Sequence, residues 1–287
     1  MVALAQWAMG SRNRATLVAA LLLAIPILFW LGAAIIALVI LRQGFREAFP
    51  VALWASLPAI GWVAAGDPTP LVMVIGTSLL AVILRSSVRL ELAVMAVLVP
   101  GIFLYWLFPA LMPELLPKVI EATRQSVSAA LAEQPVFLAE LLPYVDAVVV
   151  GGLAAIHSVM MVLCLILARH WQARLYNPGG FAAEFRMLRL PSAYALPALL
   201  LVFSAGELQP ELAGMVPILT VPLVLAGIAM VHGVVHLTVA SPGWLLPVYV
   251  GLFVFGPYMY TLLIFVAALD SILNIRARLK DTAGTDD

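Results

Sequence analysis

Four ionisable side chains stand inside otherwise apolar stretches of this sequence: His157, His232, His236 and Asp270. An imidazole there can relay a proton or bind a metal, and a carboxylate held away from water can carry a proton or pair with a cation. His232 and His236 are four residues apart, so on a helix both rings share one face. That spacing suits two ligands of a divalent metal, a proton relay, or a hydrogen-bonded pair that fixes two helices together. A zinc site needs a third or fourth ligand, for which His157 is the other histidine within an apolar stretch. Position 233 is glycine, so the glutamate of a His-Glu-x-x-His protease motif is absent. The hydrogen-bonded pair is therefore expected, with no metal and no cofactor.

Asp270 lies in Leu269-Asp270-Ser271, close to Asn274, Arg276 and Arg278. An ion pair or helix-end hydrogen bond is its expected role, and a substrate or proton role the alternative. Glu91, two residues from Arg89, is expected at the water interface, and Asp146 at the positive end of a helix that opens after Pro143-Tyr144. Cys164, the single cysteine, sits in an apolar run, which excludes an intrachain disulfide. There is no Gly-x-x-x-x-Gly-Lys-Ser/Thr loop, no Gly-x-Ser-x-Gly elbow and no paired-carboxylate constellation. No ATPase motor and no catalytic residue is expected, and the chain is not read as an enzyme. The 15 basic and 15 acidic residues cancel to a net charge of +0, which gives no reason to expect nucleic acid as a partner.

The elements that position these residues follow from composition. Of the 287 residues, 64% are hydrophobic and 10% charged, with a mean hydropathy of +1.10. A soluble domain carries roughly a quarter charged residues, so this chain needs lipid as solvent. Apolar blocks run over 15-41, 48-65, 69-84, 88-109, 143-168, 192-205, 212-239 and 245-273. They are continuous rather than alternating, hence helices, because only helices and closed barrels satisfy their backbone in hydrocarbon. The first block follows Arg12 and Arg14 but is too long for a signal-peptide core and is read as retained. The expected fold is an all-α polytopic transmembrane helix bundle of eight to ten membrane segments. It forms one domain: N-terminal helices over 15-109, an extracytoplasmic amphipathic helix within 110-142, C-terminal helices over 143-275 and a tail over 276-287.

Basic residues set the orientation. Arg12/Arg14, Arg42/Arg46, Arg85/Arg89, Arg169/Arg174/Arg186/Arg189 and Arg276/Arg278/Lys280 flank apolar blocks, and the positive-inside rule puts each group in the cytoplasm. The loops with Asp67 and with Glu207 and Glu211 lack Lys and Arg, which suits the outer face. If every group obeys the rule, parity requires block 15-41 to turn back between Pro26 and Gly32. Block 245-273, turning near Gly256-Pro257, is the best candidate for a second reversal. Its halves of about 14 residues fall short of a bilayer, so the alternative is that one flank breaks the rule. A bacterial cytoplasmic membrane with a cytoplasmic C-terminus is expected.

Three further features bear on packing and partners. Between Pro113 and Pro135, Glu114, Lys118, Glu121, Gln125 and Ser128 recur at helical spacing opposite Leu116, Val119, Ile120, Val127 and Leu131. Gly151-Gly152 with Ala154 and Ala155 would admit a second helix closely. The turn Tyr176-Asn177-Pro178-Gly179-Gly180 leads into Phe185-Arg186-Met187-Leu188-Arg189-Leu190-Pro191, read as an interfacial helix stopped by Pro191. Arg169, Arg174, Arg186 and Arg189 are the candidate contacts for membrane lipid or a membrane-protein partner.

The runs 185-191, Ala226-Gly227-Ile228-Ala229-Met230-Val231-His232 and Ala268-Leu269-Asp270-Ser271, with Asn274 and Arg276, resemble the YybS-like family of bacterial membrane proteins of unknown function. That family is distantly similar to the membrane-embedded substrate-binding subunits of energy-coupling-factor transporters. The resemblance implies a small-solute binding or transport subunit served by a separate ATPase module. His232 and Asp270 match its polar positions, and His236 does not. The alternative reading is a non-transporting scaffold or assembly factor.

Overall fold

The computed structural model describes residues 1–283. Residues 284–287 of the expected tail, and the side chains of residues 280–283, lie outside the described residues. The chain is 85% helical, and no strand occurs among the described residues. Five helices are long and apolar enough to cross a membrane, or seven if each of two bent pairs counts as one. The chain divides into two compact units: residues 1–181 with 209–218, and residues 182–208 with 219–287.

In the first unit, α1 (Val2–Ala8) precedes α2 (Arg12–Ala24) and α3 (Phe29–Gln43). Ser11 caps α2, its hydroxyl accepting from the Arg14 amide. The helix breaks over residues 25–28, where Pro26 lacks the amide that would continue it. The two halves then pack together: a Cβ at Gly32 would meet Leu23 and the Ala19 carbonyl. The expected reversal near Pro26 is thus present, made of helices of 13 and 15 residues.

Next come α4 (Phe45–Ala55) and α5 (Leu57–Ala64), bent by 46°. The bend falls at Ser56 because Pro58 withdraws the hydrogen bond due to the Trp54 carbonyl. After α6 (Thr69–Ser87), Val88 adopts a left-handed conformation as the helix cap. Then α7 (Leu90–Met95) and α8 (Leu98–Leu111) follow end to end as one apolar stretch.

Within the expected amphipathic region, α9 (Leu115–Ala130) is followed by the short α10 (Pro135–Leu141). Leu116 of α9 is buried and Glu121 and Gln125 are exposed. Arg124 clamps α9 to Asp146 at 2.7 Å. Asp146 lies in the first turn of α11 (Val145–Tyr176), which packs against α3, α6 and α8. This helix of 32 residues extends past the apolar block, so Arg169 and Arg174 sit on its last turns rather than in a loop.

Close approach explains one of the paired glycines. A Cβ at Gly151 would collide with the carbonyl of Gly214, while Gly152 has nothing within 4 Å.

The second unit begins within α12 (Gly180–Met187) and continues through α13 (Ser192–Phe203). These are bent by 60° about the extended residues 188–191. The expected interfacial helix ending at Pro191 is therefore shorter, stopping at Met187, and Leu188 and Leu190 are buried. The helix α14 (Pro210–Leu237) gives its residues 210–218 to the first unit and the remainder to the second.

Then α15 (Leu245–Val254) and α16 (Gly256–Leu273) meet at Phe255, and Gly251 of α15 faces Met259 of α16. Tyr249 of α15 bonds His232, and α16 then returns along α14 in the opposite sense, from Tyr260 at Thr220, through Leu263 at Gly227, to the far end where Arg276 meets Gly233. The chain therefore reverses at Phe255, where the second reversal was expected. Last is α17 (Ile275–Ala283), where the expected tail begins.

Candidate functional site

Asn274 ends α16 in the left-handed conformation that asparagine tolerates better than most residues. The turn brings Arg276 back beneath Asp270: the Arg276 amide donates to Asp270 Oδ1 at 3.4 Å, and its guanidinium to Oδ2 at 2.6 and 3.1 Å. Both residues are buried, at 1% and 8% exposure. The same guanidinium donates to the carbonyls of Arg186 at 2.6 Å and Leu188 at 2.8 Å. Those carbonyls lie where α12 stops, and helix termination leaves them without intrahelical partners. One cation thus satisfies a carboxylate and two orphaned carbonyls, fixing the interrupted segment to the end of α16. Asp270 has the ion-pair role expected of it.

Gly233 makes room for this arrangement. A Cβ there would lie 2.9 Å from both the Arg186 carbonyl and Arg276 Cδ. The glycine that removes a protease motif from α14 is a point of close approach.

Beside the staple is a partly enclosed cleft of about 490 Å³, lined by the side chains of Arg186, Arg189, His236, Asn274 and Arg276 with Met187, Leu237 and Ala277. Among the described residues, neither the Arg186 nor the Arg189 guanidinium pairs with a carboxylate. Among the described residues, Arg276 is the one of the three lining arginines that has a carboxylate partner, Asp270.

His232 and His236 share α14 but divide their tasks. His232 bonds the Tyr249 hydroxyl through Nε2 at 2.7 Å and meets the Phe185 ring edge-on at 5.6 Å. His236 is exposed and faces the cleft. They are not a pair bonded to each other, because each ring is directed to a different neighbour. Among the described residues, no three His, Cys, Asp or Glu side chains converge to hold a metal.

His157 lies in the first unit, apart from the other three candidates. It is buried, its Nδ1–H donates to the Leu153 carbonyl at 2.8 Å, and its ring packs on Phe108. In that neutral tautomer Nε2 accepts from the Thr69 hydroxyl at 3.4 Å. Nδ1 is thus occupied within α11 itself, while Nε2 links α11 to Thr69 of α6.

Arg169 donates to Gln172, which in turn donates to the Leu41 carbonyl, and Arg174 is exposed near the end of α11. Arg42 stacks over Tyr176 at 4.2 Å, Arg85 donates to the Leu41 carbonyl at 2.6 Å, and Arg12 pairs with Glu47. Four of the basic groups flagged in the sequence accordingly gather at one end of the first unit. Of the four candidate contact arginines, Arg186 and Arg189 converge on the cleft, while Arg169 and Arg174 belong to the other unit.

No family model, curated protein or solved structure matches this chain. The site is therefore read from its own geometry. Sequence reasoning missed the meeting of Arg186, Arg189, His236 and Asn274, which are up to 88 residues apart. The signals available were that Arg186, Arg189 and Asn274 flank apolar blocks and that His236 lies near the end of one.

Proposed function

We propose that this chain is a membrane-embedded binding or transport subunit for a small solute, with energy supplied by a separate ATPase module. The observation that carries this reading is the interruption between α12 and α13, whose unwound backbone is covered by protein and adjoins a polar cleft. Transporters build their sites where a helix is interrupted and its freed backbone groups are met by protein or a cavity.

The reading includes a finer topology. Ten segments result when the short helices α2, α3 and α15 are counted with the five long spans and two bent pairs. The basic ends face the cytoplasm of a bacterial inner membrane, the C-terminus with them, and α9 lies outside as an amphipathic cap. Membership of the YybS-like family belongs to the same proposal, resting on the runs around Arg186, His232 and Asp270.

A scaffold role has one observation in its favour: an apolar groove of about 600 Å³ in the first unit, walled by Phe45, Phe49, Leu53, Ile75 and Leu79. Native mass spectrometry of the detergent-extracted protein separates the two. A chain that retains a small molecule, or is recovered with an ATPase module, supports the binding subunit. An empty chain in stoichiometric complex with a non-transport membrane assembly overturns it.

A further inference from the structure

We propose that the cleft between α12, α14 and α17 binds a phosphomonoester. This rests on the solute-binding reading and names its ligand class. Three observations lead to it. First, the charge of the lining is unmatched. The Arg276 charge is met by Asp270, whereas the guanidinium groups of Arg186 and Arg189 have no carboxylate partner among the described residues. Two arginines without a carboxylate partner among the described residues, in a partly enclosed site, suit a dianion; a phosphomonoester carries between about −1.5 and −2 at neutral pH, and a carboxylate only −1. Arginine is also the side chain whose planar fork matches phosphate oxygens two at a time.

Second, the frame is set before any ligand arrives. Arg276 is held at four acceptor contacts, and through the carbonyls of Arg186 and Leu188 it fixes the backbone that carries Arg186 and Arg189. A backbone already fixed leaves only the two side chains to be ordered on binding. His236, one turn beyond the Gly233 contact, and Asn274, at the end of α16, add further hydrogen-bonding groups.

Third, the cleft is larger than a bare phosphate requires. Its volume of about 490 Å³ lies in the range of small-molecule sites, and Met187, Leu237 and Ala277 supply an apolar wall for an organic substituent. The same chemistry is presented by a soluble phosphate ester and by the headgroup of phosphatidate.

The test uses full-length protein in phosphatidylcholine nanodiscs, titrated calorimetrically with sn-glycerol 3-phosphate and, separately, with glycerol. Saturable binding of the phosphate ester alone is expected. Arg186→Gln and Arg189→Gln should each weaken it at least about tenfold, as expected for loss of a charge-assisted contact. Arg174→Gln, the same loss of charge at a residue that does not line the cleft, should leave it within about twofold. Including phosphatidate in the disc distinguishes the sources: competition assigns the site to the lipid headgroup, and its absence to a soluble ester. Failure of both glycerol 3-phosphate and phosphatidate to bind, equal binding of glycerol, or indifference to both arginine variants overturns the proposal. If native mass spectrometry instead finds a phosphate-free molecule that is lost from Gly233→Leu, the ligand class falls and the binding role stands. If neither phosphate ligand binds and native mass spectrometry finds neither a retained molecule nor an ATPase module, both fall.

Discussion

Removing one member of the Asp270–Arg276 pair leaves the other charge buried without a counter-charge. For Arg276 it also strips two carbonyls of their donor. Breaking such a pair costs about 3–5 kcal/mol, whereas an exposed ion pair contributes about 0–1 kcal/mol. Asp270→Asn is accordingly expected to lower the thermal unfolding midpoint in detergent sharply, and Glu47→Gln, which loses the exposed partner of Arg12, to leave it nearly unchanged. Equal effects would contradict the structural role given to Asp270.

Val88 offers a change in the opposite direction. It holds φ 55° with 82% of its surface exposed, a conformation that strains a β-branched residue by roughly 1–2 kcal/mol without any packing in return. Val88→Gly should raise the unfolding midpoint, by the equivalent of about 1 kcal/mol after glycine's own entropy cost. Asp270 and its cation were legible in the sequence, because Arg276 lies six residues on and a short turn can join them. The two carbonyls that share the cation were not, since nothing in residue types shows where α12 will stop.

At the scale of elements, Gly151 and Gly152 look equivalent in the sequence and are not. A Cβ at Gly151 would overlap the backbone of Gly214, which cannot move aside, while one at Gly152 meets open space. Gly151→Ala is expected to cost about 1–3 kcal/mol through overpacking. Gly152→Ala should be neutral or gain up to about 1 kcal/mol from helix propensity. Paired unfolding curves in one detergent would check this, and equal midpoints would contradict the α11–α14 contact.

The breaks at Pro26 and Phe255 were legible because charge parity and proline agreed on them. The interruption after Met187 was read as a surface helix end. Its arginines disguised a stretch whose leucines are buried, and periodicity over eight residues does not tell an interface from a bent span. The last turns of α11 were missed for the same reason: arginines ended the apolar block but not the helix.

For the whole molecule, hydropathy yielded the class, an all-helical chain with apolar helices, because it depends only on summed composition. Against the eight to ten segments expected, five to seven helices have membrane-crossing length. Which distant basic residues meet depends on packing, and that was beyond a single sequence. In the topology proposed above, cysteines replacing Arg14 and Arg174 should resist membrane-impermeant reagents added to intact cells, and one replacing Gln125 should react. The native Cys164 is buried and should remain silent.

The central claim is a positively charged cleft open to the cytoplasmic side, and reactivity at Ala277, on its wall, tests it most directly. With Ala277→Cys in inside-out vesicles, the anionic sulfonatoethyl methanethiosulfonate should react faster than the cationic trimethylammonioethyl reagent, on the order of tenfold once corrected for their intrinsic rates. Neither should react from the outside of intact cells. Faster modification by the cation, or labelling from outside, would contradict the account.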